Sequence, residues 1–292
     1  MRRNVVLILL MLFTGLSILC AVEDNTEIQV TVSILPQKYF VEKIGGDPVK
    51  VNVMVMPGEF PHTYEPKPRQ MVDLSKSKVY FAIGVPFERA WLARFVSVNS
   101  SMAVIHTEAG IERLPMVEHH HEGETRHTED EMKDPHIWLS PPLVKIQALT
   151  ILGALQQVDP VNSSTYEANY KDFIAEIDLL HAGLENTFSG KEGTPFMVFH
   201  PSWGYFAKAY RLKQVPIEVE GKDPKPAQLM EIIKYAKLHG IKVIFVQPQF
   251  STRSADLVAK EIGGKVVSID PLAFNWAENL RKVASIFGEV FK

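Results

Sequence analysis

Three histidines stand where separate runs of the chain give way to proline-rich turns: His62 in MPGEFPHTYEP, His136 in DPHIWLSP and His200 in FMVFHPSWGYF. Neutral imidazole is the commonest side-chain ligand for transition metals. Each of the three falls at the C-terminal end of an expected strand or in the loop that follows it. Ligands of open α/β sheets bind beyond those strand ends. Asp270, which closes VVSID, arrives in the same way and is a fourth candidate ligand. Three imidazoles and a carboxylate suit Zn²⁺, which takes N and O donors tetrahedrally at ~2.0–2.2 Å. Mn²⁺ tolerates such a set but prefers more oxygen. A single histidine at a strand end is ordinarily structural. Three in matching positions, stiffened by neighbours such as Pro61, Pro135 and Pro201, favour a site.

A second population of histidines sits in EHHHEGETRHTEDEMKD, residues 118–134, where His119, His120, His121 and His127 lie among seven acidic and two basic residues. Such a segment cannot bury a core and is expected to be a solvated loop that binds metal weakly, as an accessory. Glu59, three residues before His62, is either a further ligand or an ordinary loop carboxylate. Trp203 and Tyr205 are candidates for walls of the cleft, and Glu218 and Glu220 for neighbours of the site.

The elements around these residues begin after an export signal. Arg2 and Arg3 precede an apolar run from Val5 to Leu19, and Cys20-Ala21 leads into Glu23-Asp24. This order is that of a secretory signal over residues 1–21. Cys20 is the one cysteine of the chain, so no disulfide and no thiolate ligand remain after export. Lipidation at Cys20 and plain cleavage are both open, because Leu19 fits a lipidation motif poorly. The formal charge of −3 includes both signal arginines and would be near −5 without them. No basic stripe interleaved with aromatics is present, which argues against nucleic acid as a partner.

From Ile28 onward short β-rich runs alternate with helical stretches. Strands are expected at Ile28–Ile34, Val49–Met56, Lys78–Ile83 and Val104–Thr107, then at Phe196–Phe199, Lys242–Val246 and Lys265–Ile269. Helices are expected between them and at Asn275–Phe291. That alternation implies parallel sheets with helices on both faces. Leu143–Gln157 and Ser164–Phe188 are helical in pattern, with Ser163 or Ser164 placed to cap the second and Leu179, Leu180 and Leu184 as its apolar stripe. The reading is an α/β protein of two lobes, each a parallel sheet flanked by helices, with one long rigid helix between them. The lobes span residues 27–162 and 190–292, and the joining helix 163–189.

The stretches PHTYEPKPRQMVDLSKSKVYFAIG, DPHIWLSP, FHPSWGYFAKAY, EGKDPKPAQL and KVIFVQPQFSTRSADLVAKEIGGKVVSIDPL cover most of the chain in order. Together they resemble the zinc/manganese solute-binding proteins of ABC importers, the ZnuA/TroA type. The resemblance implies a metal held in the cleft between two lobes, His62 and His136 from the first and His200 and Asp270 from the second. It implies small closure about the long helix. Manganese members commonly carry Glu where His200 stands, and an acidic, His-rich loop is typical of zinc members, so both features imply zinc as the transported ligand, with manganese the alternative. It also implies a monomer outside the cytoplasm, periplasmic or lipid-anchored, that docks on a membrane permease driven by a cytoplasmic ATPase.

Two other classes compete. A zinc hydrolase would also use three histidines and an open position, but H-E-x-x-H, G-x-S-x-G and G-x-G-x-x-G are absent. A surface adhesin is the third reading. With Asp270 as the only acidic ligand, a loaded site would carry a net charge near +1 and no evident compensating anion, which suits capture and release.

Overall fold

The structure is a computed structural model and describes residues 27–116, 133–219 and 221–290. The signal segment with Cys20, the histidines His119, His120, His121 and His127, and Glu220 lie outside the described residues. In the first lobe β1 (Ile28–Val32), α1 (Leu35–Gly45), β2 (Val49–Val53), α2 (Pro68–Leu74), β3 (Val79–Ala82), α3 (Pro86–Val98) and β4 (Ala103–His106) follow in order. The sheet runs β2-β1-β3-β4 with every pair parallel, Ile28 opposite Val49, Val30 opposite Val79 and Val79 opposite Ala103. Its central strand β3, VYFA, is buried at every position and apolar without alternation, whereas β1, IQVTV, alternates although Thr31 is buried as well as Val30 and Val32. Proline opens α1, α2 and α3, where a missing N–H costs nothing. Gln37 and Gln70 reach back to the backbone N–H groups of Ile34 and Lys67 and complete two of these starts.

The second lobe repeats the scheme with β5 (Pro195–Val198), α6 (Gly204–Ala209), β6 (Lys213–Pro216), α7 (Pro226–Leu238), β7 (Val243–Val246), α8 (Arg253–Ile262), β8 (Lys265–Ser268) and α9 (Trp276–Val290). Its sheet is again all parallel, in the order β6-β5-β7-β8. Strand β6 is absent from the sequence expectation. Its four residues, KQVP, show no alternation and end in proline, and only pairing with β5 at the sheet edge makes them a strand.

Between the lobes run α4 (Pro141–Val158) and α5 (Ser163–Phe188), the latter 26 residues and about 39 Å long. Neither Ser163 nor Ser164 caps α5; Asn162 precedes it without a side-chain cap, and Asp159 instead accepts from Asn162 and from the hydroxyl of Tyr166. Its buried stripe is Tyr166, Phe173, Ile177, Leu180, Leu184 and Phe188, whereas Leu179 is 76% exposed. Spacings of three, four and seven keep that stripe on one face for the full length of the helix. The N-terminal half of the stripe packs on α1 through Phe40 and Phe173, and the C-terminal half meets Phe206 and Phe287 of the second lobe.

Helix α9 crosses back to the first lobe. Trp276 lies edge-on to Phe40 at 5.2 Å and close to Tyr39 and Phe173. Two reciprocal hydrogen bonds tie the lobes beneath the strand ends: Trp138 Nε1 donates to Pro271 O and Trp276 Nε1 to Trp138 O, each at 2.7 Å. One apolar cluster therefore runs through both lobes, from Val30 to Phe287.

Candidate metal centre

The loop after β2 carries His62. Proline 61 within it accepts a hydrogen bond from Phe87 N at the start of α3, which pins the loop against the lobe. His136 precedes a single helical turn, Ile137–Leu139. His200 follows β5, and its backbone is gripped by the buried amide of Gln247 at the end of β7: Gln247 Nε2 donates to His200 O at 2.7 Å and Gln247 Oε1 accepts from His200 N at 3.3 Å.

These three histidines converge. One ring nitrogen from each lies within 4.8 Å of the others. The ring centroids stand 5.2 to 6.1 Å apart. His136 and His200 are buried and His62 is half-buried.

Two carboxylates stand directly behind the cluster. Asp134 Oδ1 accepts from His136 Nδ1 at 2.7 Å and from His136 N at 2.9 Å. Glu218 Oε1 accepts from His200 Nδ1 at 2.6 Å. A carboxylate only accepts, so each ring carries its proton on Nδ1 and turns the lone pair of Nε2 inward. The Nε2 atoms of His62 and His200 are buried and have no hydrogen-bond partner among the described residues. Buried polar nitrogens are nearly always satisfied, so two such atoms aimed at one point are what a cation would complete. Asp134 and Glu218 are 3% and 6% exposed. Two buried carboxylates thus stand beside the histidines, so the expectation of a site with no compensating anion does not hold.

Burial holds His62 well below the usual histidine value, and repulsion from His200, His136 and Arg89 adds to the same effect. Burial also lowers His136, against an upward pull from Asp134. Both rings are therefore neutral at pH 7, the form that ligates.

The cluster borders a small, partly open void of about 10 Å³, walled by Phe60, Val85, Trp138, Gln247, Gln249, Phe250 and Leu272 besides the histidines. A void of this size holds about one water-sized particle.

The remaining sequence candidates lie elsewhere. Asp270 is adjacent but outside the cluster; its Oδ1 accepts from Leu272 N at 2.9 Å and from Gln249 Nε2 at 3.2 Å. Glu59 pairs with Lys67 at 3.2 Å near the surface. Trp203 is a fully buried core residue. Tyr205 does not face the void; its hydroxyl accepts from Leu114 N and donates to Asp134 O, both at 2.9 Å. Gly204 beside it is held to a bare backbone, because a Cβ there would lie 2.8 Å from Asp134 Oδ2. The residues missed in the sequence are Asp134, Gln247, Phe60 and Phe250. Only Asp134 left a signal, as an acidic residue two positions before a candidate ligand.

The chain is similar to known proteins along most of its length. The family model described as zinc-uptake complex component A, periplasmic, matches residues 30–286. The chain belongs to this ZnuA family. A high-affinity zinc uptake system protein ZnuA of Bacillus subtilis is 30% identical over 252 residues, which is 84% of this chain and 79% of that protein. A crystal structure of ZnuA superposes with a TM-score of 0.84 at 44% identity, covering 91% of this chain and 99% of the other. A ZnuA deletion mutant solved with zinc bound gives 0.83 at 43% identity, covering 91% and 98%. The ZnuA family is one of substrate-binding transport proteins, and its two-sheet architecture with a long joining helix is the one seen here.

Proposed function

We propose that the protein captures Zn²⁺ outside the cytoplasm through Nε2 of His62, His136 and His200 and delivers it to the permease of an ABC importer. The observation that carries this reading is the convergence of three imidazoles, of which His62 and His200 have a buried Nε2 with no hydrogen-bond partner among the described residues. Borderline-soft Zn²⁺ favours imidazole, and a donor set dominated by imidazole nitrogen rather than oxygen disfavours Mn²⁺. Support comes also from the names of the relatives, two of which are zinc-uptake or zinc-bound ZnuA proteins.

Asp270 is proposed as the donor nearest to the fourth position, its Oδ1 steadied by Leu272 and Gln249. Export by residues 1–21, an anchor or none at Cys20, lobes at 27–162 and 190–292, and a monomeric state belong to the same reading. In the segment 118–134, whose last residue Asp134 is buried against His136, the histidines His119, His120, His121 and His127 are proposed as accessory zinc binders.

A hydrolytic role fits the site poorly. Activating a metal-bound water takes a free general base. Both buried carboxylates behind the cluster already accept from histidine Nδ1.

The test is metal titration of the purified protein. His200→Ala and His62→Ala should abolish tight zinc binding, while removal of residues 119–127 should leave it nearly intact. Should the loop deletion prove the more damaging, the histidine cluster is not the primary site.

A further inference from the structure

The rim of the histidine cluster carries one phenylalanine from each lobe, beside Gln247 and Gln249. Phe60, in the loop after β2, lies flat on His62, with centroids 4.5 Å and planes 3° apart. Phe250, in the turn between β7 and α8, lies on His200 at 5.1 Å and 24°. The two phenylalanines meet edge to face at 4.8 Å, and Phe60 also meets His200 edge-on at 5.4 Å. His62 and His200 stand 5.2 Å apart and close the ring of contacts. Val85 and Leu272 wall the same void.

This packing bears on coordination number. An ion held by three Nε2 atoms in a void of about 10 Å³ has room for about one further small donor. Three additional waters, which an octahedral ion would require, exceed that room. Zn²⁺ is content with four ligands, whereas Mn²⁺ favours an octahedral shell rich in oxygen. The donor set alone already prefers zinc, and the rim acts on top of it by denying the competitor its remaining ligands.

We infer that Phe60 and Phe250 form an apolar collar that enforces four-coordination and so sets the discrimination of zinc from manganese. This rests on the three histidines being the ligands. The collar residues touch the ligand rings rather than the ion, so they act as positioning and excluding groups.

The experiment measures zinc and manganese affinities, and the visible absorption of the Co²⁺-loaded protein, in the wild type and in Phe60→Ala and Phe250→Ala. The wild type should show the intense bands of four-coordinate Co²⁺. Each alanine variant should weaken those bands toward the five- or six-coordinate form and narrow the zinc-to-manganese affinity ratio by about tenfold, the scale of effects from groups beyond the ligands. Phe60→Leu and Phe250→Leu, which keep apolar bulk, should retain most of the wild-type spectrum and ratio. Both phenylalanines are half-buried on loops, and valine replaces alanine wherever an alanine variant fails to fold. Truncated variants that bind zinc with an unchanged Co²⁺ spectrum and a ratio within about twofold of wild type would overturn the collar while leaving the ligand assignment intact. A wild type that binds no zinc overturns the ligand assignment itself, and the collar with it.

Discussion

At the scale of single residues, the site depends on which nitrogen of each ring holds the proton. Asp134 and Glu218 decide this for His136 and His200 by accepting from Nδ1. Asp134→Asn or Glu218→Gln keeps the size of the side chain but removes the charge that raises imidazole basicity and balances the ion. Each should lower zinc affinity by about 10- to 100-fold, read by competition with a chelator. A change below about threefold in both would mean that the carboxylates only fill space. The pH dependence has a definite sign. His62 and His136 are held below the ordinary histidine value in the fold, chiefly by burial, while in the unfolded chain they titrate near ~6.5. Below that value the unfolded chain takes up protons that the fold refuses, so these two groups contribute stability above about pH 6.5 that is lost as pH falls. Zinc affinity should hold to lower pH than that of an exposed histidine peptide and then decline, because protons compete for Nε2. Calorimetric titrations at several pH values check this; an affinity already falling between about pH 8 and 7 would contradict it.

At the scale of elements, ligand loops are held by side chains that close the ends of strands. Glu88, fully buried at the start of α3, accepts from Ile83 N at 3.0 Å and Gly84 N at 2.7 Å and bonds to Ser33. Burial pushes its carboxyl up to about 7, against those hydrogen bonds. Glu88→Ala would leave buried amides without acceptors next to Val85, a wall of the zinc void, and should destabilise the protein by about 2–4 kcal/mol in denaturant unfolding. A loss under about 0.5 kcal/mol would show that water replaces the carboxylate. The elements were the most legible part of the sequence. Buried parallel strands such as VYFA and VIFV are continuous apolar runs, and proline and glycine mark where helices start and stop. Strand β6 was not legible, because its pairing comes from β5 and not from its own residues. The histidines were legible because their residue type is rare and their placement at strand ends repeats. The collar was not: a phenylalanine in a loop looks the same in sequence whether it stacks on a ligand or faces solvent, and only the meeting of two lobes distinguishes the two.

At the scale of the molecule, the cleft lies over a joint that is packed rather than loose. Helix α5 extends its apolar stripe through both lobes, and α9 returns from the second lobe to seat Trp276 among Tyr39, Phe40 and Phe173. Trp276 also donates to Trp138 O, and Trp138 follows His136 by two residues and donates in turn to Pro271 O beside the void. The histidine-bearing segments of the two lobes are thus joined by hydrogen bonds close to the cluster. Large opening would break both bonds and expose a core that runs through both lobes, so the proposed loading and release call for only small movements of the histidine loops. Trp276→Leu keeps an apolar residue but removes the indole N–H and much of the packed volume. Large-to-small changes of buried aromatics cost about 3–5 kcal/mol when truncated to alanine, and leucine should recover part of that. The variant should therefore unfold at lower denaturant, in a single transition because the core is shared, and should bind zinc more weakly although the indole lies outside the zinc void. Small-angle scattering should give the same radius of gyration for zinc-free and zinc-loaded wild type, and a larger one for the zinc-free variant. If the variant keeps wild-type zinc affinity while losing stability, the joint supports the fold without positioning the ligands, and loop motion alone governs capture.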